Sequence, residues 1–225
     1  MNRTVKLKLY KVKAVIFDLD GTLIDTKEAD IYSLIDALKM NNLYIDYEKA
    51  KFVFGKRDED FLQETFPFLS LEQIKRIVML KQQLFLSKFK KLIKPHRGAY
   101  ELLSWLKSLG KIIIIVTTSP KSLAQELVHK THLDKYIDLL VTANDVKHLK
   151  PHPEPILYAL NKFNLKAQDT LMIGDSVTDV IVAKKLNIKI IAVATGVNSV
   201  YELKREGADA AFNDLHSLMK YLKEN

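Results

Sequence analysis

The residues best suited to chemistry are two aspartates, Asp18 and Asp20, which directly follow the apolar run at residues 14–17. A continuous apolar run that ends in polar residues is typical of a buried parallel strand. The two carboxylates are therefore predicted at the carboxyl end of that strand, where open α/β sheets bind their ligands. Gly21 comes next and permits a sharp exit from the strand.

Two carboxylates this close repel each other, so either one is protonated or a cation lies between them. A nucleophilic aspartate beside a second carboxylate and a hard metal ion suits phosphoryl transfer through an aspartyl-phosphate. Thr22 adds a hydroxyl to the same turn. A simpler interpretation of residues 18–22 is an Asp-Gly turn with both acids in water, and this short motif alone leaves both open.

Further polar residues follow two later predicted strands or precede a predicted helix. They are Thr117 and Thr118 after one strand, Asp175 and Asp179 after another, and Lys150 before a proline-led helix. Because parallel strands end at one edge of a sheet, residues far apart in the sequence can converge there. Together they provide a nucleophile, hard metal ligands, donors for phosphoryl oxygens and a fixed positive charge. Each position alone also has an ordinary explanation, such as a capping hydroxyl, a surface lysine or a first-turn acid.

The rest of the pattern predicts the elements that hold these residues. Residues 27–93 are helical in pattern without a convincing strand, and they include a long amphipathic helix at 71–93 capped by Ser70. After a break at 94–98, strands and helices alternate, which predicts a parallel sheet. Residues 4–11 alternate apolar and basic side chains, which fits either an edge strand or a loose arm.

The fold class predicted from this order is α/β, with a Rossmann-like parallel sheet core and a helical domain inserted after the first strand. The core takes in residues 1–26 and 94–225, and the insert is residues 27–93. A chain of 225 residues allows one or two domains. Its 48% hydrophobic and 28% charged residues are ordinary for a globular protein.

The lack of cysteine excludes disulfides and cysteine metal sites and fits a reducing compartment, so we expect a cytoplasmic protein. No apolar run has the length of a membrane span or the form of a secretory signal. The net charge of +8 suits anionic substrates and also nucleic acid. The lysines are scattered along predicted helix faces, and no recognition motif accompanies them, so a nucleic-acid-binding protein is only a distant alternative.

Four motifs follow one another along the chain. They are DLDGTL at 18–23, IIIIVTTSP at 112–120, KPHPEP at 150–155 and GDSVTDV at 174–180. In this order they resemble the haloacid dehalogenase superfamily of hydrolases, in the branch of phosphoglycolate phosphatase and β-phosphoglucomutase. The resemblance covers nearly the whole chain. It implies that the helical insert is a cap domain that closes over the site and excludes water.

The same resemblance implies roles for the acidic residues. Asp18 would be the nucleophile, and Asp20 would be the general acid and base. A Mg²⁺ ion would be held by the Asp18 side chain, the main-chain carbonyl of Asp20, and Asp175. Gly21 would support the turn that carries these groups.

The remaining motif residues would act on the substrate or support the nucleophile. Thr117 would bind the transferring phosphoryl group, and Thr118 would contribute to substrate binding beside it. Lys150 would neutralise charge around the nucleophile and contact the substrate. Asp179 would support Lys150 or a metal-bound water.

The resemblance implies a Mg²⁺-dependent phosphatase acting on a small phosphorylated metabolite, such as phosphoglycolate or a sugar phosphate. The alternative is a phosphosugar mutase, whose cap must hold a second phosphate. Lys56 and Arg57, in a turn of the insert, could bind that phosphate or a substrate carboxylate, or be solvated. β-Phosphoglucomutase has an arginine at the position of Asp58, which favours the phosphatase. We expect no nucleic-acid or membrane partner, and a monomer or homodimer.

Overall fold

The computed structural model describes residues 9–224, and the chain divides into two compact units. One unit contains the chain up to Ile24 and from Pro95 onward, and the other contains Asp25–Lys94. The predicted insert at residues 27–93 falls within the second unit. Among the described residues, no helix has both the length and the apolar character needed to cross a membrane.

Eight strands are formed by the described part of the chain. They are β1 (Ala14–Phe17), β2 (Ile24–Asp25), β3 (Lys94–Pro95), β4 (Ile112–Val116), β5 (Leu139–Val141), β6 (Thr170–Gly174), β7 (Lys189–Val193) and β8 (Ala210–Phe212). Six of them form one sheet in the order β5-β4-β1-β6-β7-β8, while β2 and β3 pair with each other. All five pairings within the larger sheet are parallel. The predicted α/β fold with a parallel sheet core is therefore confirmed.

The sheet register brings the ends of three strands together. Phe17 at the end of β1 is level with Ile115 of β4 on one side and Ile173 of β6 on the other. All four residues of β1 are buried, which explains their unbroken apolar pattern. The polar residues that follow β1, β4 and β6 therefore leave the sheet at the same edge.

Six helices accompany the strands of the first unit, and the last of them follows the final strand. They are α5 (Ala99–Ser108), α6 (Lys121–Lys130), α7 (Glu154–Lys162), α8 (Val177–Lys185), α9 (Val200–Glu206) and α10 (Leu215–Glu224). Fully buried residues of α7, α8 and α9 pack with β1, β4, β6 and β7 in one apolar core. Burying each such aliphatic side chain contributes about 1.5–3 kcal/mol.

The second unit is a helical bundle with its own core. Its helices are α1 (Lys27–Met40), α2 (Tyr47–Ala50), α3 (Asp58–Thr65) and α4 (Leu71–Ser87). The predicted cap of α4 is confirmed, because the Ser70 hydroxyl accepts from the Gln73 backbone N–H and the Gln73 side chain accepts from Ser70 N–H. Apolar side chains of α1, α3 and α4 form the core.

One sequence prediction of local structure was wrong. The helix predicted at 71–93 ends at Ser87. The backbone N–H of Phe89 donates to the Leu84 carbonyl. The Phe89 ring stacks on the Tyr32 ring of α1, with 6.0 Å between the ring centroids. This tertiary contact takes the chain out of helical register although the amphipathic pattern continues. For residues 4–11 the sequence leaves both an edge strand and a loose arm open. Leu9–Lys11 form a single 3₁₀ turn, and the rest of that segment lies outside the described residues.

One of the lysines that are scattered along the predicted helix faces is buried inside the bundle. Lys81 of α4 has a side chain only 5% exposed and lies 2.6 Å from Asp30 of α1, and it also pairs with Asp58 of α3. Burial lowers the pKa of Lys81, but the two carboxylates raise it more, so the lysine stays charged. The pairing ties three helices together at the N-terminus of α3.

Lys81→Met is expected to lower the free energy of unfolding by about 3–5 kcal/mol, because it leaves two carboxylates without their buried counter-charge. Lys75→Met, at an exposed position of the same helix, is the matched control and should change that free energy by less than about 0.5 kcal/mol. Urea unfolding of both variants measures the difference. Equal stabilities would contradict a structural role for the pairing.

Candidate active site

The first site residue is Asp18, which lies at the end of β1. Its N–H donates to the Ile173 carbonyl at 3.0 Å, so the backbone of Asp18 is still fixed by the sheet. The following turn is closed by bonds from Leu23 N–H and Ile24 N–H to the Leu19 carbonyl, both at 3.0 Å. Asp18 is 8% exposed, so its carboxylate is buried at the edge of the sheet and has little contact with water.

Lys150 joins two carboxylates in this site. Its Nζ lies 2.6 Å from Asp18 Oδ1 and 2.8 Å from Asp179 Oδ1, and its side chain is 5% exposed. The other oxygen of Asp179 accepts from Ser176 N–H at 3.2 Å and from the Ser176 hydroxyl at 2.7 Å. Asp179 is therefore held by the N-terminus of α8 and in turn holds the lysine against Asp18. Of the two roles predicted for Asp179, this geometry matches support of Lys150.

Asp175 is enclosed by glycines. Its Oδ1 accepts from the Thr22 hydroxyl at 2.6 Å. A Cβ added at Gly21, which has a φ of +84°, would lie 2.6 Å from Asp175 Oδ2, and one added at Gly196 would lie 1.6 Å from it. Any side chain at these positions would displace the carboxylate, so both glycines shape this part of the site. The importance of Gly196 was not predicted, although it follows β7, which pairs in parallel with β6 and ends at the same edge of the sheet.

Asp20 is held by hydroxyls that follow β4. Its Oδ2 accepts from the Ser119 hydroxyl at 2.8 Å and lies 3.5 Å from Thr117 Oγ1. Thr117 Oγ1 also accepts from Ser119 N–H at 3.0 Å. Sequence analysis missed Ser119 as a site residue, although it belongs to the polar run after β4. Thr118, between them, is exposed.

The electrostatics of the site favour a cation. Burial raises the pKa of Asp18 to about 6, even though Lys150 lowers it. Burial and the nearby charges of Asp18 and Asp179 raise the pKa of Asp175 well above its ordinary value. The pKa of Lys150 is lowered by burial but raised more by its two carboxylate partners, so it remains protonated. One lysine does not neutralise this group of acids.

The donor set fits a hard divalent metal ion. Oxygens of Asp18, Asp175 and Asp179 lie within 4.8 Å of one another. Carboxylate oxygens are ligands that Mg²⁺ prefers. A bound cation would offset the burial and the repulsion that together raise the pKa of Asp18 and Asp175. Because Asp179 already bonds Lys150 and Ser176, Asp18 and Asp175 have more free capacity as ligands.

The structure thus brings together most of the site residues that were predicted in the first unit around Asp18. Thr118 is exposed, and its role in substrate binding stays a prediction. Lys56 and Arg57, the predicted substrate-binding cations, belong to the second unit. Lys56 pairs with Glu64 at 2.8 Å, and Arg57 lies 3.8 Å from Glu59, with all four side chains at least 45% exposed. Their role in substrate binding stays a prediction.

Comparison with known proteins defines the family. The family model of haloacid dehalogenase-like hydrolases matches residues 15–193. The chain is 30% identical over 212 residues to Pyrophosphatase PpaX of Bacillus mycoides (strain KBAB4), with 94% of this chain and 97% of that protein covered. The chain therefore belongs to the haloacid dehalogenase-like hydrolase family, as the four motifs indicated.

Solved structures share the whole fold. A predicted phosphatase from Clostridium acetobutylicum has a TM-score of 0.83 and 29% identity, covering 95% of this chain and 99% of its own. A proposed β-phosphoglucomutase from Thermotoga maritima has a TM-score of 0.78 and 28% identity, with the same coverage. Both similarities extend over both units of the chain.

Proposed function

We propose that the protein is a Mg²⁺-dependent phosphatase that hydrolyses a small phosphorylated metabolite through an aspartyl-phosphate on Asp18. One observation carries this proposal: a buried carboxylate at the end of a strand is bound by a buried lysine, with a second, hydroxyl-bound carboxylate two residues later. This arrangement pairs a fixed nucleophile with a separate acid and base. Family membership supports the hydrolytic reaction.

In the first step, an oxygen of Asp18 forms a bond to phosphorus while the bond from phosphorus to the leaving oxygen breaks. Asp20 donates a proton to that leaving oxygen. In the second step, Asp20 takes a proton from a water molecule whose oxygen attacks the phosphorus. The bond between phosphorus and Asp18 breaks, and inorganic phosphate and the free carboxylate are formed.

The surrounding residues hold these two groups in place. Lys150 fixes the Asp18 carboxylate and offsets the negative charge that accumulates beside it. Ser119 and Thr117 orient the Asp20 side chain toward the same edge of the sheet, and Thr117 also offers a hydroxyl to a phosphoryl oxygen. Mg²⁺, held by Asp18, the Asp20 carbonyl and Asp175, would supply charge neutralisation for the phosphoryl group.

The substrate class follows from the relatives only in part. The Bacillus mycoides relative is named a pyrophosphatase, and a solved relative is named a phosphatase. We therefore extend the candidate substrates from phosphoglycolate and sugar phosphates to inorganic pyrophosphate. The expected cytoplasmic location, the absence of nucleic-acid and membrane partners, and a monomer or homodimer remain part of this proposal.

A phosphosugar mutase is the second candidate, because the Thermotoga maritima relative is described as a proposed β-phosphoglucomutase. A mutase needs cationic groups in its cap for a second phosphate. In this chain Asp58 pairs with Lys81 in the second unit, and Lys56 and Arg57 lie near glutamates. This balance of charge favours a substrate with one phosphoryl group and hence the phosphatase.

Phosphate release from a panel of phosphometabolites and pyrophosphate, with and without Mg²⁺, tests the proposed function. We expect one phosphate released per monoester consumed, with no need for a bisphosphate activator. Pyrophosphate would give two phosphates for each molecule cleaved. An isomerised sugar phosphate formed with little free phosphate would instead establish the mutase.

Mg²⁺ is expected to raise the melting temperature by roughly 5–10 °C at a hundredfold excess over its Kd. The pKa of Asp18 is about 6 in the folded protein and 3.8 in its ordinary state, so the metal-free protein loses stability as pH rises through that interval. The Mg²⁺ effect should therefore be small near pH 4 and large near pH 8. Differential scanning fluorimetry with and without Mg²⁺, at pH 4 and at pH 8, measures the change in melting temperature.

Asp175→Asn tests, in the same measurement, whether the carboxylate cluster is responsible for the Mg²⁺ effect. This change should raise the melting temperature of the metal-free protein at neutral pH, because it removes one of several like charges. It should also remove most of the Mg²⁺ effect. Asp134→Asn, at an exposed carboxylate of the same unit, should leave both values unchanged. An undiminished Mg²⁺ effect in Asp175→Asn would contradict the metal assignment.

A further inference from the structure

The segment between β5 and α7 carries two histidines and a glutamate whose polar atoms face one another. His148 Nδ1 lies 2.8 Å from Glu154 Oε2, and His152 Nδ1 lies 3.9 Å from the same oxygen. The two imidazole rings are 4.5 Å apart between centroids. One ligand atom from each of the three residues falls within 4.8 Å of the others.

The backbone holds this group in place. Glu154 Oε1 accepts from Lys147 N–H at 2.9 Å, and Glu154 Oε2 accepts from His148 N–H at 3.1 Å. The carboxylate is therefore fixed by two main-chain donors. The side chains of His148 and His152 are 64% and 49% exposed, so an ion can reach the group directly from solvent.

The distances suit a transition metal. Imidazole nitrogen and carboxylate oxygen bind Zn²⁺ at about 2.0–2.2 Å, which places neighbouring ligand atoms about 3–3.5 Å apart. The observed separations of 2.8 Å and 3.9 Å lie on either side of that range, so small rotations of exposed side chains complete the site. A simple hydrogen bond between His148 and Glu154 explains the shorter contact. His152 Nδ1 accepts from Glu154 N–H at 3.2 Å, so this nitrogen carries a lone pair that a metal ion can take over from that bond.

We propose that His148, His152 and Glu154 form a second metal site that binds a late first-row transition ion such as Zn²⁺. Imidazole ligands favour Zn²⁺, Ni²⁺ and Cu²⁺, whereas Mg²⁺ prefers oxygen ligands and water. The chemistry of this site therefore differs from that of the all-carboxylate cluster around Asp18. On binding, the ion replaces two hydrogen bonds, the one between His148 and Glu154 and the one from Glu154 N–H to His152 Nδ1. Any proton on His148 Nδ1 is released or moves to Nε2.

The site lies on the segment that carries the buried lysine of the candidate active site. Lys150 falls between His148 and His152 in the sequence, and its Nζ contacts Asp18 and Asp179. An ion that holds both imidazoles restrains the backbone on either side of Lys150. We therefore expect occupancy to change the phosphatase rate, and this consequence rests on the proposed function.

Isothermal titration of Zn²⁺ into untagged full-length protein, with Mg²⁺ saturating, tests the site without any substrate. We expect one site in the wild type and at least about tenfold weaker binding when His148 and His152 are both replaced by glutamine. His129→Gln is the matched control, because His129 has one carboxylate 3.8 Å from its Nδ1 and no second histidine is grouped with it among the described residues. This control should bind Zn²⁺ as the wild type does.

Cobalt provides a spectroscopic readout of the ligands. Co²⁺ bound by two imidazoles and a carboxylate should give visible absorption bands that Zn²⁺ removes by displacement and that the double histidine variant lacks. Equal Zn²⁺ binding by wild type and double variant would overturn the site. The Asp175→Asn variant should retain Zn²⁺ binding, and loss of binding there would assign the ion to the carboxylate cluster and overturn the proposal.

The effect on activity is tested separately, by titrating Zn²⁺ into the phosphatase assay at saturating Mg²⁺. A rate change in the wild type that is absent in the double variant would support the link to Lys150. The same rate change in both proteins would overturn that link. If no substrate is hydrolysed by any variant, the proposed function fails, while the binding measurements still decide the metal site.

Discussion

Asp18→Asn is expected to lower turnover by at least about three orders of magnitude, because an amide cannot form the aspartyl-phosphate. The substitution keeps the shape of the side chain at a position that is 8% exposed, so the fold should persist. Steady-state phosphate release with the best substrate of the panel measures turnover. The melting temperature of the metal-free variant checks folding.

Asp134→Asn provides the comparison for that experiment. Asp134 is an exposed aspartate of the same unit, outside the candidate active site, and its replacement should leave turnover within twofold of the wild type, roughly the scatter expected for a neutral surface change. Trapping of a phosphorylated protein in the wild type but not in Asp18→Asn would place the intermediate on this residue. Activity above a few per cent in a folded Asp18→Asn protein would remove Asp18 from the nucleophile role.

The sheet and the motif residues at its edge were predictable because parallel strands that are buried on both faces must be almost continuously apolar. The runs at 14–17, 112–116 and 170–174 satisfy that condition, so the first polar residue after each run marks the edge of the sheet. Placement of Asp18 and Asp175 at one edge follows from this pattern, whereas their direct proximity depends on the strand order, in which β1 and β6 are neighbours. No knowledge of side-chain contacts is needed for this part.

Other contacts depend on tertiary geometry that no local pattern encodes. Lys81 has the sequence context of a solvated lysine, and only the packing of α1, α3 and α4 buries it against two carboxylates. Gly196 follows β7, the next strand after β6, so its place at the same edge was predictable, but its close approach to the Asp175 carboxylate depends on how the two loops pack. Such pairings require three-dimensional coordinates because each involves residues on separate elements.

The second large effect is expected for Lys150→Met. The lysine is the buried counter-charge of Asp18 and Asp179, at 2.6 Å and 2.8 Å. Removing one partner of a buried ion pair leaves uncompensated charge and costs about 3–5 kcal/mol of the free energy of unfolding. Turnover should also fall by about a hundredfold or more, because the positive charge that offsets the negative charge beside Asp18 during phosphoryl transfer is lost.

The pH dependence separates this electrostatic role from simple packing. Burial raises the pKa of Asp18 to about 6 and Lys150 lowers it, so loss of the lysine should raise that pKa further. An acid whose pKa is raised on folding stabilises the protein below its unfolded pKa, and this stability is lost as pH rises through the folded pKa. The stability difference between wild type and Lys150→Met should therefore be small near pH 4 and largest near pH 8. Urea unfolding in the presence of a chelator measures it at both values.

Lys147→Met is the matched control for this experiment, because Lys147 lies three residues away on the same segment with an exposed side chain. Its replacement should change the free energy of unfolding by less than about 0.5 kcal/mol at either pH. A stability loss in Lys150→Met that does not depend on pH would indicate lost packing of the alkyl chain. Unchanged turnover in a folded Lys150→Met protein would contradict the role of this lysine beside the nucleophile.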